Sequence, residues 1–179
     1  MLKILKALIS YTGYLIKHKY YVYIFGRKLG LNRTQLLKHD ISKFKPRSFL
    51  AYAFYFYGPI PATELEMALR KRNFKKAWRK HVNNEPHHWE YYWSYDGVSH
   101  NVESIPIEFL LEMIADWHGA SKINSNSDDW DISFWYNQYN WEPRFSSDTY
   151  WSLRNQMERL GYNFDTNDRI FRTGKLEIK

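Results

Sequence analysis

The chain has no cysteine among its 179 residues. Disulfides, zinc ribbons and thiolate nucleophiles are therefore excluded, and any metal must take nitrogen and oxygen ligands. A long apolar run is also missing. Residues 1–29 interrupt their apolar side chains with Lys3, Lys6, Lys17 and Lys19, whereas a spanning helix needs about 20 mostly apolar residues and a signal peptide needs an unbroken apolar core. This pattern predicts a cytoplasmic protein whose first helix is amphipathic and ends near Gly30. No internal repeat, low-complexity tract or sustained strand alternation is visible.

Aromatic residues, by contrast, are plentiful. They make up 19% of the chain, with 8 Trp and 15 Tyr, which argues for a packed core and against disorder. The length fits one domain able to bury a core without covalent staples. A net charge of +7 favours an anionic partner: a nucleotide, a nucleic acid or a membrane surface.

The punctuation predicts an all-α chain of about six helices. Asn32 or Thr34 can cap a second helix running to about Phe44, and Pro46 suits the first turn of a third that stops at Gly58-Pro59. A fourth begins at Ala62 or Thr63 and carries Leu65, Leu69, Phe74, Ala77 and Trp78 toward His81, with Lys71, Arg72, Lys75, Lys76, Arg79 and Lys80 on its other face. Asp96-Gly97 marks a turn, and Ser104 with Pro106 opens a fifth helix to Asp116 and Trp117. Residues 121–131 read as a loop, and Trp130 to Trp141 as an irregular, exposed aromatic segment that could form an interface. Ser146 or Ser147 caps a last helix closed by Gly161, and the chain beyond Phe164 is expected to be loosely held.

The residues that can carry chemistry centre on His39-Asp40-Ile41-Ser42-Lys43. A carboxylate beside an imidazole suits a divalent ion, and a lysine one turn on can meet an anionic substrate drawn to that ion. His18, His81, His87, His88 and Asp116 also neighbour apolar residues that should face the core, as His18 does Leu15 and Val22. If Asp40 bridges, one ion could take His18, His39 and Asp116, and a second His81, His87 and His88. Glu112, one turn before Asp116, either bonds a ligating imidazole or is solvated. His100 and His118 read as peripheral.

The order His, His-Asp, His, His-His, Asp resembles the HD-domain superfamily of metal-dependent phosphohydrolases, and in particular its two-metal HD-GYP type. His39-Asp40-Ile41-Ser42-Lys43 is similar to that type's His-Asp-Ile-Gly-Lys, with Ser42 in place of glycine. With Pro86-His87-His88 and Glu112-Met113-x-x-Asp116-Trp117, the pattern also resembles a small HD-like family of bacteria and their phages. The resemblance spans residues 18–116. It implies an HD-like helical domain over 1–164 with a tail over 165–179, and one or two divalent ions (Mn, Fe, Co or Ni). His18, His39, Asp40 and Asp116 would be the common ligands, and His81, His87 and His88 the additional ones.

Asp40 and Lys43 would then be catalytic, with water activated by metal attacking a nucleotide or related phosphoester. Lys43, Arg79, Lys80 and Trp89 are the candidate substrate contacts, the basic pair by steering phosphate and Trp89 by stacking a base. Two other readings stay open: an HD-type di-iron oxygenase, and a non-catalytic basic module that binds nucleic acid.

Overall fold

The computed structural model describes residues 2–95, 97, 99–124 and 130–174. Helix α1 (Leu2–Lys28) buries Ala7, Tyr11, Leu15, His18, Val22 and Phe25, at successive steps of three or four residues. That spacing lays one stripe along the helix and makes it the spine of the fold. Gly30, left-handed at φ 84°, ends this helix as expected. Along its length α1 packs on α5 (Ile107–Asn124) and, nearer its start, on α3 (Pro46–Tyr57). At the α1–α5 crossing, a Cβ on Gly119 would sit 2.7 Å from Val22 Cγ2, so the closeness of the two helices depends on glycine there.

Helix α2 (Arg33–Lys38) is capped by Asn32, whose Oδ1 accepts the Thr34 N–H at 2.7 Å. It does not run on to Phe44. The helix stops at Lys38, Asp40 turns left-handed at φ 58°, and Ile41–Phe44 form a 3-10 turn. Aspartate is among the few residues that enter this region readily. Lys19 of α1 donates to the carbonyls of Leu37 (3.0 Å) and His39, satisfying acceptors freed by the break.

Pro46 starts α3, and Thr63 caps α4 (Glu64–Val82). The first half of α4 leaves Leu65 and Leu69 exposed, so that only its second half, with Ala77, His81 and Val82, is buried. A short antiparallel pair, β1 (Trp93–Tyr95) and β2 (His100–Val102), turns at Gly97. Ser104 does not cap α5 but meets Ser146 Oγ at 2.9 Å. The first turn is instead closed by the Pro106 carbonyl, which accepts from Phe109 and Leu110. The helix continues through Ser121 to Asn124, beyond the expected start of the loop, and residues 125–129 of that loop lie outside the described residues.

The segment from Trp130 to Trp141 is largely folded into the core rather than exposed. Trp130, Ile132, Tyr136 and Trp141 are buried around the short α6 (Ser133–Tyr136), although Phe134 is 87% exposed. Large aromatic faces bury more area by folding back on the core than by standing in water. Helix α7 (Ser147–Arg159) follows, capped by Ser146 and closed by Gly161. Residues 165–174 are held as well: β3 (Asn163–Phe164) pairs with β4 (Ile170–Phe171), Ile170 is buried, Asn137 bonds both its N–H and carbonyl, and Arg154 pairs with Asp168, while residues 175–179 of the expected tail lie outside the described residues. The expected boundary at 164 thus falls inside a hairpin that packs on the core.

Seven α-helices with two minor hairpins make the described chain an all-α single domain. No described helix is long and apolar enough to cross a membrane. Two apolar clusters form its interior. The larger joins Val22, Phe25, Leu110, Met113, Ile114, Leu153 and Met157, and the smaller joins Tyr11, Leu15, Tyr52, Ala53 and Ala77. His18 lies on the α1 stripe between Leu15 of the smaller cluster and Val22 of the larger, at the seam.

Candidate metal centre

At that seam the histidines and aspartates foreseen from the sequence come together. The left-handed turn at Asp40 brings its carboxylate fully into the interior, between α1, α4, α5 and the 87–88 loop. Its two oxygens face different groups. Oδ2 lies 3.2 Å from His18 Nε2 and 3.6 Å from His39 Nε2, and Asp116 Oδ1 approaches the same two nitrogens at 2.9 and 3.4 Å. Oδ1 lies 3.1 Å from His81 Nε2 and 3.8 Å from His87 Nε2, while His88 Nε2 meets His81 Nε2 at 2.8 Å. Two sets of ligand atoms, each compact enough for one ion, therefore share Asp40: His18, His39, Asp40 and Asp116, and Asp40, His81, His87 and His88.

Several of these atoms lack a partner. His39 Nε2, His87 Nε2 and Asp40 Oδ1 are buried without a hydrogen bond. Leaving such atoms unsatisfied costs about 1–3 kcal/mol each. Nitrogen and carboxylate donors converging on one place fit a divalent ion of borderline hardness.

A surrounding layer of polar groups aims the rings. Glu112 Oε1 accepts from His39 Nδ1 at 2.9 Å and approaches His87 Nδ1 at 3.4 Å, while its Oε2 accepts from Gln35 Nε2 at 2.6 Å. A carboxylate at Nδ1 fixes the proton there and leaves Nε2 free to ligate. The third compact group, His39, His87 and Glu112, is accordingly read as support, because its histidines present Nδ1 to the acid and Nε2 to Asp40. Ser42 Oγ lies 2.8 Å from His81 Nδ1 and plays the same part for that ring. Ser42 thus has a position against His81 that sequence reasoning missed, as it missed the contributions of Gln35 and Lys19.

The electrostatics differ between the sets. Burial alone would lower the His39 pKa, but Asp40, Asp116 and Glu112 outweigh it and raise it to about 10; His18 is raised by the same balance with Asp116 and Asp40. Burial opposes the charge of Asp40, yet Lys43 and His39 hold its carboxyl well below the usual range, and His18 and His39 do the same for Asp116. On the other side burial dominates: it pushes His87 well down and His88 to about 3, helped by neighbouring His39 and His81 respectively. Lys43 Nζ donates to Asp40 Oδ2 at 2.7 Å, which keeps its ammonium charged despite burial.

The centre opens on one side. Among the carboxylates and imidazoles flanking Asp40, Asp116 has the exposed edge, at 15% of its side chain. Both Asp116 and His88, one from each set, line a cavity of about 680 Å³ walled by Trp78, Trp89, Trp117, Trp135, Tyr139 and Trp141. Trp89 is where its role was expected. Arg79 and Lys80 are not: both are exposed on α4 and do not line the cavity, whose cation is Arg144, a residue the sequence reading passed over. Arg144 followed a segment read as irregular, and its position depends on how that segment folds over α5. His100 is exposed on β2, whereas His118 is not peripheral. It is fully buried, stacked on Phe25 at 4.1 Å, bonded through Nδ1 to the Ile114 carbonyl and through Nε2 to Tyr162 OH.

A family model described as a family of unknown function (DUF5662) matches residues 8–159. The chain belongs to this family. The match takes in every residue of both ligand sets, together with Glu112, Ser42, Lys43 and Arg144. Comparisons with curated proteins and with solved structures each found no match.

Proposed function

We propose that this DUF5662 chain is a cytoplasmic metal-dependent phosphohydrolase acting on a nucleotide or a related phosphoester. The observation that supports it is the single buried carboxylate, Asp40, whose two oxygens face two ligand sets while Lys43 holds it from the same side as the first set. His18, His39, Asp40 and Asp116 would hold one divalent ion and Asp40, His81, His87 and His88 a second, drawn from Mn, Fe, Co or Ni. Ions so placed polarise a phosphoryl oxygen and lower the pKa of water to near neutrality.

The protein's own groups do the rest. Glu112 and Ser42 fix the ring orientations, so the site is aimed before substrate arrives. Lys43 adds a fixed positive charge for an anionic phosphoryl group, in a setting where burial strengthens the attraction. The exposed edge of Asp116, beside His88, would let substrate approach from the aromatic cavity.

The test is metal content of tag-free protein by elemental analysis, against Asp40→Ala, followed by a hydrolysis screen with a chromogenic phosphoester and a nucleotide panel. One or two equivalents lost in the variant, with metal-dependent phosphate release from the wild type, is the expected result. No metal after reconstitution would overturn it. Iron with a mixed-valent signal and oxygen uptake would move the site to oxygenase chemistry, and salt-sensitive nucleic-acid binding that survives Asp40→Ala without turnover would make it a binding module.

A further inference from the structure

The cavity beside the centre has features that phosphoryl transfer alone does not need. Its wall is dominated by indole and phenol rings, and it touches the candidate centre only through His88 and Asp116. A phosphate group reaching those two residues would leave the rest of its molecule among the rings. The cavity's size, about 680 Å³, falls within the range of small-molecule sites.

The polar groups in the wall narrow the chemistry. The Arg144 guanidinium lies over three rings, 4.9 Å from Trp89, 5.4 Å from Tyr139 and 5.7 Å from Trp141. An aromatic cage open to a quaternary ammonium offers bare ring faces to a cation, but here a built-in cation already occupies them and would repel a second. A neutral planar ring system meets no such penalty and can stack on indole and guanidinium alike. Glu90 also lines the cavity and adds a carboxylate acceptor to its wall. A flat ligand edge that carries N–H groups would satisfy it.

We infer that this cavity is a nucleobase pocket, in which Trp89, Trp135 and Arg144 stack the base, Glu90 receives an N–H of its edge, and the phosphate is directed to Asp116 and His88. The inference rests on the phosphohydrolase reading for the destination of the phosphate. The pocket itself is built by the protein without metal, so the two can be tested apart.

The experiment is a titration of intrinsic tryptophan fluorescence in full-length, chelator-treated protein. The probes are four unphosphorylated nucleosides, ribose 5-phosphate and choline. Nucleosides are expected to quench and saturate, and ribose 5-phosphate and choline to have no effect. Trp135→Leu should weaken nucleoside binding by about tenfold or more, the scale of one lost base stack. Arg144→Gln should weaken it as well, and Phe134→Ala, at an 87% exposed rim position, is a substitution the fold can absorb should Trp135→Leu fail to fold; it too is expected to weaken binding. Nucleoside binding unchanged in all three variants would overturn the location. Choline binding in place of nucleosides would overturn the ligand class. Metal-dependent phosphoester hydrolysis without any nucleoside binding would overturn the pocket and leave the proposed function standing, whereas saturable, variant-sensitive nucleoside binding in a protein that takes no metal would do the reverse.

Discussion

Replacing Glu112 should weaken both proposed metal sites together, because one oxygen of this carboxylate serves a ring from each set. Oε1 is 2.9 Å from His39 Nδ1 and 3.4 Å from His87 Nδ1. Loss of such an outer partner typically reduces metal affinity 10–100-fold, or about 1.4–2.7 kcal/mol. Glu112→Ala is therefore expected to shift both equivalents by that range. Glu112→Gln should do less. Its amide oxygen can remain on the two rings, but its NH₂ then faces Gln35 Nε2, another donor, so Gln35 must turn its own amide. In turning, Gln35 gives up its 3.2 Å bond to the Glu108 carbonyl, at about 1 kcal/mol. Ser42→Ala is the control for asymmetry, since the Ser42 hydroxyl bonds His81, a ring of the second set; one equivalent should weaken and the other stay. Competition with a fluorescent chelator for Mn²⁺ resolves the two affinities. Unchanged binding in Glu112→Ala, or loss of one equivalent alone, would refute the reasoning that Glu112 aims both rings.

Lys43→Met should leave metal binding intact, because the ammonium competes for the Asp40 oxygen that faces the first set, while raising KM for a phosphoester by the equivalent of about 1–3 kcal/mol; steady-state kinetics with matched metal loading checks this. Gly119→Ala places a Cβ 2.7 Å from Val22 Cγ2 and 3.0 Å from Val22 N, so α1 and α5 must separate, and a loss of about 1–3 kcal/mol in denaturant unfolding is expected. For His118, burial, aided by the charges of Arg172 and Lys28, pushes the folded pKa down to about 3 from 6.5. The unfolded chain therefore binds the extra proton between these values, and the stability from the neutral ring is fully present above pH 6.5 and lost as pH falls toward 3. Thermal melts of the wild type should fall from pH 7.5 to 5.0 more steeply than those of His118→Gln.

The sequence made the convergence of the candidate ligands legible for reasons that can be stated residue by residue. His18 repeats the spacing of Leu15 and Val22, so the stripe that buries them must bury it, and Asp116 shares its helix with Met113 and Ile114 in the same way. The backbone at Asp40 was not legible. Periodicity carries a helix through to Phe44, and only the tertiary demand that this carboxylate turn inward, with Lys19 holding the freed carbonyls, breaks it after Lys38. Which cation lines the cavity was not legible for a related reason. A run of cations on α4 stands out in a sequence, yet Arg79 and Lys80 face solvent. The lone Arg144 becomes a wall residue only after the segment from Trp130 to Trp141 has folded over α5, a long-range event without a local pattern. The helical hydrophobic spacing likewise overstated Leu65 and Leu69, which stay exposed.

His118 gives an internal reference against which the other buried histidines can be judged. It is as buried as His39 and lies on the same helix as Asp116, but both of its ring nitrogens have partners, Ile114 O and Tyr162 OH, and one face is stacked on Phe25. That is how a histidine is accommodated when packing is its only task. His39 and His87 are treated differently. Each has Nδ1 beside Glu112 and Nε2 left without a hydrogen bond, with His39 Nε2 3.6 Å from Asp40 Oδ2 and His87 Nε2 3.8 Å from the unpaired Oδ1. Tyr11 OH and Tyr52 OH are also buried without a hydrogen bond; what sets His39 and His87 apart is that their bare nitrogens lie against a carboxylate, where a core with no use for them would gain stability by replacing them. Their convergence on one carboxylate, between the two apolar clusters and behind the aromatic cavity, is the pattern expected where an ion supplies the missing partner.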